Sequence, residues 1–370
     1  MNSKKLLTTI LGIGLCATVA QADHHLTASL KDGKTSLKSA GALAFGPEGI
    51  LFVGDSKGAA VVAIATGDTQ KSDSSTSFKV SGIDAKVAAA LGTSAENIII
   101  NDLAVNPISR NAYLSVSRGR DAKAAAAIVK ITPAGKISVL KLAGLKSASV
   151  ALPNAPKDEM KGSGRRRSNP RQSSITDIAY VDGKVLVAGL SNEEFASNLR
   201  SIPFPFKKVD DGAGVEIFHG AHGKFETHSP VRTFVAFNIG NDPHLLAAYQ
   251  CTPLVRFPIS DLKANAKIRG TTIAELGNRN RPLDMIVYNA KGKDYVLIAN
   301  SSRGIMKLAA DVIEGGKQIA EKRAGGPVGT SYETIKSWTG IAQLDKLDGK
   351  RALVVQRSGE SLDLVSRPLP

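Results

Sequence analysis

A cadence of three apolar strands separated by polar turns, repeated six times, constrains this chain more than any other feature. The clearest copy runs Leu43-Ala44-Phe45, the turn Gly46-Pro47-Glu48-Gly49, the strand Ile50-Leu51-Phe52-Val53, the turn Gly54-Asp55-Ser56-Lys57-Gly58, and the strand Val61-Val62-Ala63-Ile64. A leucine centred in the second strand returns at Leu51, Leu114, Leu186, Leu246, Leu297 and Leu353, spaced 51 to 72 residues apart. A small sheet of this kind has two apolar faces and covers neither alone, whereas a radial array of such sheets covers both. The expected fold is all-β, a six-bladed β-propeller. Its blades are expected at about 40–80, 98–142, 175–218, 224–276, 282–325 and 335–370, with a short helix at 84–91.

Chain length gives an expectation for closure. Only 17 residues follow Leu353 and 28 separate residue 23 from Leu51, together about one period. The ring is therefore expected to be closed by the N-terminal strand, with Leu26, Ala28 and Leu30 pairing beside 362–365 so that no blade keeps an open edge. A seven-bladed ring is the alternative and needs a further blade hidden in 143–174. That stretch is rich in Pro, Gly and Ser, and carries six basic residues between Lys157 and Arg171. It reads as a mobile basic insertion, able to attract a polyanion or lipid headgroups.

Lys4 and Lys5, the apolar stretch 6–20 and the small-residue site Ala20-Gln21-Ala22 read as a signal peptide over 1–22, followed by a single domain over 23–370. The expected location is the periplasm or the extracellular space. The apolar stretch is shorter than the roughly 20 residues that span a bilayer, so no transmembrane segment is expected. The formal charge is +15, and +13 once the leader is removed. Such a surface favours an anionic small molecule or a polyanion, while no element for reading nucleic-acid sequence is recognisable. Removal of the leader leaves Cys251 alone, which excludes an intramolecular disulfide, and no Cys-x-x-Cys-His motif exists to hold haem. Cys251 follows an apolar run and reads as a buried, inert thiol.

Three groups of residues are candidates for chemistry. Residues opening the first strand of each blade converge on the propeller axis, and alignment of the blades puts Gly41, Asp102, Asp177, Arg232, Asp284 and Gly340 there. Three converging carboxylates repel unless an arginine, protons, backbone N–H groups or a cation satisfies them. An all-oxygen set would suit calcium or magnesium. The turns after the second strands supply Asp55, Arg118, Asn192, Asn300, Ser302, Arg303, Arg357 and Ser358, a potential anion pocket if they share a face. Histidines form the third group. Cleavage after Ala22 would make His25 the third residue, as a nitrogen site for Cu(II) or Ni(II) requires. His219 and His222 can share a metal only if their turn folds back, and Glu226 with His228 offers a weak acid–base pair.

The stretch Phe45-Gly46-Pro47-Glu48-Gly49-Ile50-Leu51-Phe52-Val53-Gly54-Asp55 resembles the blade signature of six-bladed propellers of the NHL, SMP-30 gluconolactonase and strictosidine-synthase-like group. The other blades match by pattern only. The gluconolactonase branch of that group holds a divalent metal on the tunnel axis and hydrolyses lactones or esters. Blade one here opens with Gly41 or Ala42 where an acid would be needed. The expectation is thus a ligand or partner bound at one end of the tunnel, with a metal-dependent hydrolase as the alternative.

Overall fold

The alternating apolar residues pair into six sheets, antiparallel but for one short parallel strand, Lys267–Arg269, in the computed structural model, which describes residues 25–72, 77–164, 167–251, 253–323 and 326–370. The proposed leader, with Asp23 and His24, lies outside the described residues. Six sheets make a six-bladed propeller, not a seven-bladed one. In chain order the innermost strands are Leu43–Phe45, Ile98–Val105, Asp177–Val181, Val231–Ile239, Pro282–Ala290 and Ile341–Lys346, which define blades 1 to 6. Each pairs with the strand that follows it, and all six marker leucines lie on those second strands, 1% exposed or less. The expected short helix forms at Ile83–Ala90.

The order of blades around the ring is not the order along the chain. Six apolar clusters mark the six blade boundaries. Leu51 and Tyr113 meet between blades 1 and 2, and Phe52 and Val187 between blades 1 and 3. Val116 and Leu353 meet between blades 2 and 6. The remaining clusters join blades 3 to 4, 4 to 5 and 5 to 6. The ring therefore reads 2-1-3-4-5-6 and back to 2. The chain steps one way from blade 1 to blade 2, returns past blade 1, and then proceeds the other way round.

That return corrects two expectations. The segment 143–174 is not strandless: Ala143–Ala151 pairs antiparallel with the third strand of blade 1, Ala60–Ala65, and becomes its fourth strand. The N-terminal segment does not close the last blade. Leu26–Ser29 forms a short 3-10 helix, and Lys31–Lys34 pairs with Ala143–Ala151 at the outer edge of blade 1. Glu48 holds this helix by accepting the N–H groups of Leu26 and Thr27 at 2.9 and 3.0 Å. Leu30 is buried at the boundary of blades 1 and 3. The strand beside Leu364 and Val365 is Lys79–Val80, from the connection between blades 1 and 2. The ring is closed by interleaving the first and last blades through blade 2, so both ends of the described chain are held by non-local pairing.

The motif in blade 1 has structural causes. A side chain at Gly46 would collide with the Phe52 ring, which stacks on Tyr180 of blade 3. Glu48 adopts φ 57° to close its turn. Asp55 is buried and accepts the N–H groups of Lys38, Ser39 and Gly58, each at 2.8 Å, so it ties the turn to the strand entry. Cys251 is half-buried rather than buried, because it sits in a hairpin turn at φ 57°.

Candidate functional site at the tunnel mouth

The innermost strands of four blades carry the same irregularity. Pairing slips by one residue between Ile100 and Asp102, Val231 and Thr233, Pro282 and Asp284, and Ile341 and Gln343. A bulge of this kind bends the strand and re-aims the side chains beside it. It places Asp102, Thr233, Asp284 and Gln343 at equivalent points of the tunnel wall, with Asp177 and Ala42 completing the ring. Sequence alignment put Arg232 in place of Thr233, and Gly41 and Gly340 in place of Ala42 and Gln343. A bulge, invisible in a linear pattern, accounts for the one-residue shift in blade 4, whereas blade 1 has no bulge and Gly340 lies just before the bulged strand of blade 6.

Each aspartate acts as a latch between blades. Asp102 accepts the N–H of Leu103 on its own strand and that of Leu43 in blade 1 at 2.6 Å. Asp177 does the same with Ile178 and with Phe234 of blade 4, and Asp284 with Met285 and Leu344 of blade 6. A fourth member, Asp345, was not legible in the sequence; it accepts the N–H groups of Lys346 and of Val105 in blade 2. All four latches point the same way around the ring. The first three share an Asp-then-aliphatic signature, whereas Lys346 follows Asp345 and hides it.

These carboxyls are only partly exposed, and burial raises the pKa of all four. Repulsion from Asp177 and Asp345 raises Asp102 further, and Asp284 feels Asp102, Asp177 and Asp345. The latching N–H bonds oppose the effect without cancelling it. Asp177 is pushed up to about 7 and Asp345 to about 6.

Asp102, Asp177 and Asp284 form the floor of a cavity of about 580 Å³ at one end of the tunnel. Its rim is basic, with Lys57, Arg120, Arg232 and Arg281. Lys57 Nζ and Arg120 Nε donate to the carbonyls of Ala122 and Glu96. Arg232 Nη2 donates to Gln250 at 3.0 Å, but among the described residues its buried Nε has no hydrogen-bond partner. Burial and the neighbouring Arg281 charge lower the Arg232 pKa, which marks a guanidinium short of anionic company.

The turn residues do not gather into one pocket. Arg118 lies between two cavity-lining residues, yet its guanidinium donates to Gly92 O at 3.3 Å. Arg303 donates to Leu276 O in blade 4. Arg357 and Asn300 line a second cavity of about 540 Å³ between blades 5 and 6, and Asn300 there accepts the N–H groups of Ser302 and Arg303. His25 is exposed, 3.7 Å from Glu48, and its expected metal-binding companions lie outside the described residues. His228 contacts Thr227 at 2.7 Å, while Glu226 turns to His219 and His222, so the expected Glu226–His228 pair does not form.

For calcium or magnesium, the carboxylates offer a poor fit, because both oxygens of each already accept N–H bonds directed into the wall. The donor set matches the joining of blades. No family model matches the chain, and no curated protein matches it in sequence. Fold and site define a six-bladed β-propeller with an acidic-floored, basic-rimmed cavity at one tunnel mouth.

Proposed function

We propose that this chain is an exported basic propeller that binds a small anionic molecule at the tunnel mouth. The observation that carries this reading is Arg232, whose buried Nε lacks a partner among the described residues at the wall of a cavity it shares with Arg281. A carboxylate or phosphate group there would pair with two guanidiniums, a strong and directional contact. Asn101 and Gln343 line the same cavity, and their side-chain oxygens would accept hydrogen bonds from hydroxyl or amino groups at the other end of the ligand. A hydroxy-acid or amino acid has both features. The likeness of Phe45–Asp55 to NHL and SMP-30-like propellers supports a ligand at this end of the tunnel. It does not extend to lactone hydrolysis, because Ala42 replaces an acid in blade 1 and the aspartates are spent on latches. Among the described residues, no helix is long and apolar enough to cross a membrane.

Thermal-shift and calorimetric titration with phosphate, hydroxy-acids and amino acids tests the proposal. Binding of one class, weakened at least tenfold by Arg232→Gln and by Arg281→Gln, is expected. Equal binding by wild type and both variants would place the ligand elsewhere.

A further inference from the structure

We propose that His219, His222 and Glu226, at the outer end of blade 3, bind one divalent zinc ion. The local sequence builds this cluster directly. The strand Ala213–His219 turns through residues 220–223, with Gly223 at φ 68°, and returns as Lys224–Glu226. Ile217 stands opposite Glu226, so His219, two residues along, shares its face of the pair. The turn folds His222 back until the two imidazole centres are 3.8 Å apart.

One ligand atom from each of the three residues lies within 4.8 Å of the other two. Glu226 sits between the rings, with Oε2 3.1 Å from His219 Nδ1 and Oε1 2.6 Å from His222 Nδ1. Around a tetrahedral zinc ion with bonds of about 2.0–2.1 Å, ligand atoms stand about 3.3 Å apart. The longest separation must shorten by at most about 1.5 Å, and rotation of His222, whose side chain is 52% exposed, can supply this. Two imidazoles and a carboxylate make the mixed nitrogen and oxygen set that zinc accepts, and softer sulfur ligands are missing from the cluster.

A second observation, independent of the ligand spacing, points to the same occupant. His219 is 4% exposed, and among the described residues its buried Nε2 has no hydrogen-bond partner. That atom faces Glu275, itself 2% exposed, at 3.8 Å. Metal on Nδ1 leaves the proton on Nε2, where it is aimed at a carboxylate. Metal-bound histidines are commonly held in this way, with the outer carboxylate fixing tautomer and ring orientation. Three protein ligands with an exposed His222 leave the fourth position to water. The site lies on the outer rim of blade 3, apart from the tunnel cavity.

The test uses the full chain, untagged and stripped with EDTA, titrated with Zn²⁺ by calorimetry and with Co²⁺ by visible absorption. One tight Zn²⁺ equivalent is expected, with the visible Co²⁺ bands of a four- or five-coordinate ion. His222→Ala, at an exposed position that leaves the core intact, should weaken Zn²⁺ at least tenfold and abolish the bands. Glu226→Gln should do likewise, and Glu275→Gln should weaken binding about tenfold through the outer contact. His228→Ala and His25→Ala should change nothing. The proposal fails if no stoichiometric Zn²⁺ binds, if binding survives both His222→Ala and Glu226→Gln, or if it vanishes with His25→Ala.

Discussion

The Asp345 carboxylate accepts the backbone N–H of Val105 at 2.6 Å across 240 residues of chain. It joins blade 6, the last to be completed, to the blade that the chain makes second. Gln343 reinforces the same boundary by donating to Asn101 O at 2.9 Å. The ring is thereby sealed on its axis, as the pairing of Lys79–Val80 with blade 6 seals it at the rim.

Asp345→Ala should lower the unfolding free energy by about 1–3 kcal/mol, the cost of leaving inner-strand N–H groups without an acceptor. Denaturant titration at pH 5.5 measures it. An unaltered midpoint and slope would show that this latch is neutral.

The latches also set a pH dependence. Asp177 is held near 7 in the folded protein, against about 3.9 in an unfolded chain. Below about pH 4 both states carry the proton and its contribution to stability is fully present. From there to about 7 the folded chain keeps a proton that the unfolded chain has released. Stability therefore falls as pH rises, by at most about 1.4 kcal/mol per pH unit for one group, and levels off above 7. Asp345 contributes in the same direction up to about pH 6. Asp177→Asn should flatten the curve between pH 4 and 7, and equal slopes in variant and wild type would refute the raised pKa.

How much of this was legible in the sequence follows from what a local pattern can encode. Strand alternation reports burial of two faces, so blade number and second strands were readable. Leu186, Leu246, Leu297 and Leu353 hold one register point, each a residue before the partner of the residue after the tunnel position. Leu51 and Leu114 are displaced by one and face the other side of their blades, an offset that spacing alone conceals. Ring order depends on which blade covers which, and every blade face is similarly apolar. Ala143–Ala151 was missed because an outer strand of small and polar residues, half exposed, lacks strong alternation. At the site, Asp102, Asp177 and Asp284 were readable, whereas Asp345, Arg281 and Arg120 depend on bulges and on ring order.

Millimolar calcium or magnesium should leave the melting temperature of the EDTA-stripped protein unchanged, because ligand that binds the folded state would raise it and the tunnel carboxylates are engaged by N–H groups. Differential scanning fluorimetry is sufficient. A calcium-dependent rise that Asp284→Asn removes would restore the axial metal site.

The two halves of the segment 143–174 should respond oppositely to change. Lys161 and Ser168, both exposed, form an isolated antiparallel bridge, and replacement of the basic stretch 161–168 by a short glycine link should leave the melt intact. Binding to an anionic polymer such as heparin should weaken, with a shallower salt dependence, as charge is lost. The strand Ala143–Ala151 is different. Ser147 stands in register with Ile64 on one side and Lys31 on the other, so a proline there removes a ladder bond whichever way the N–H points. Ser147→Pro should lower stability by about 1–3 kcal/mol, the cost of a lost ladder bond and the acceptor it leaves unpaired, and in a single cooperative transition, because this strand ties the N-terminus to blade 1 after blade 2 is in place. A Ser147→Pro protein that melts like wild type, or one in which only the 31–34 edge loses protection from hydrogen exchange, would show that the returning strand is dispensable to the ring.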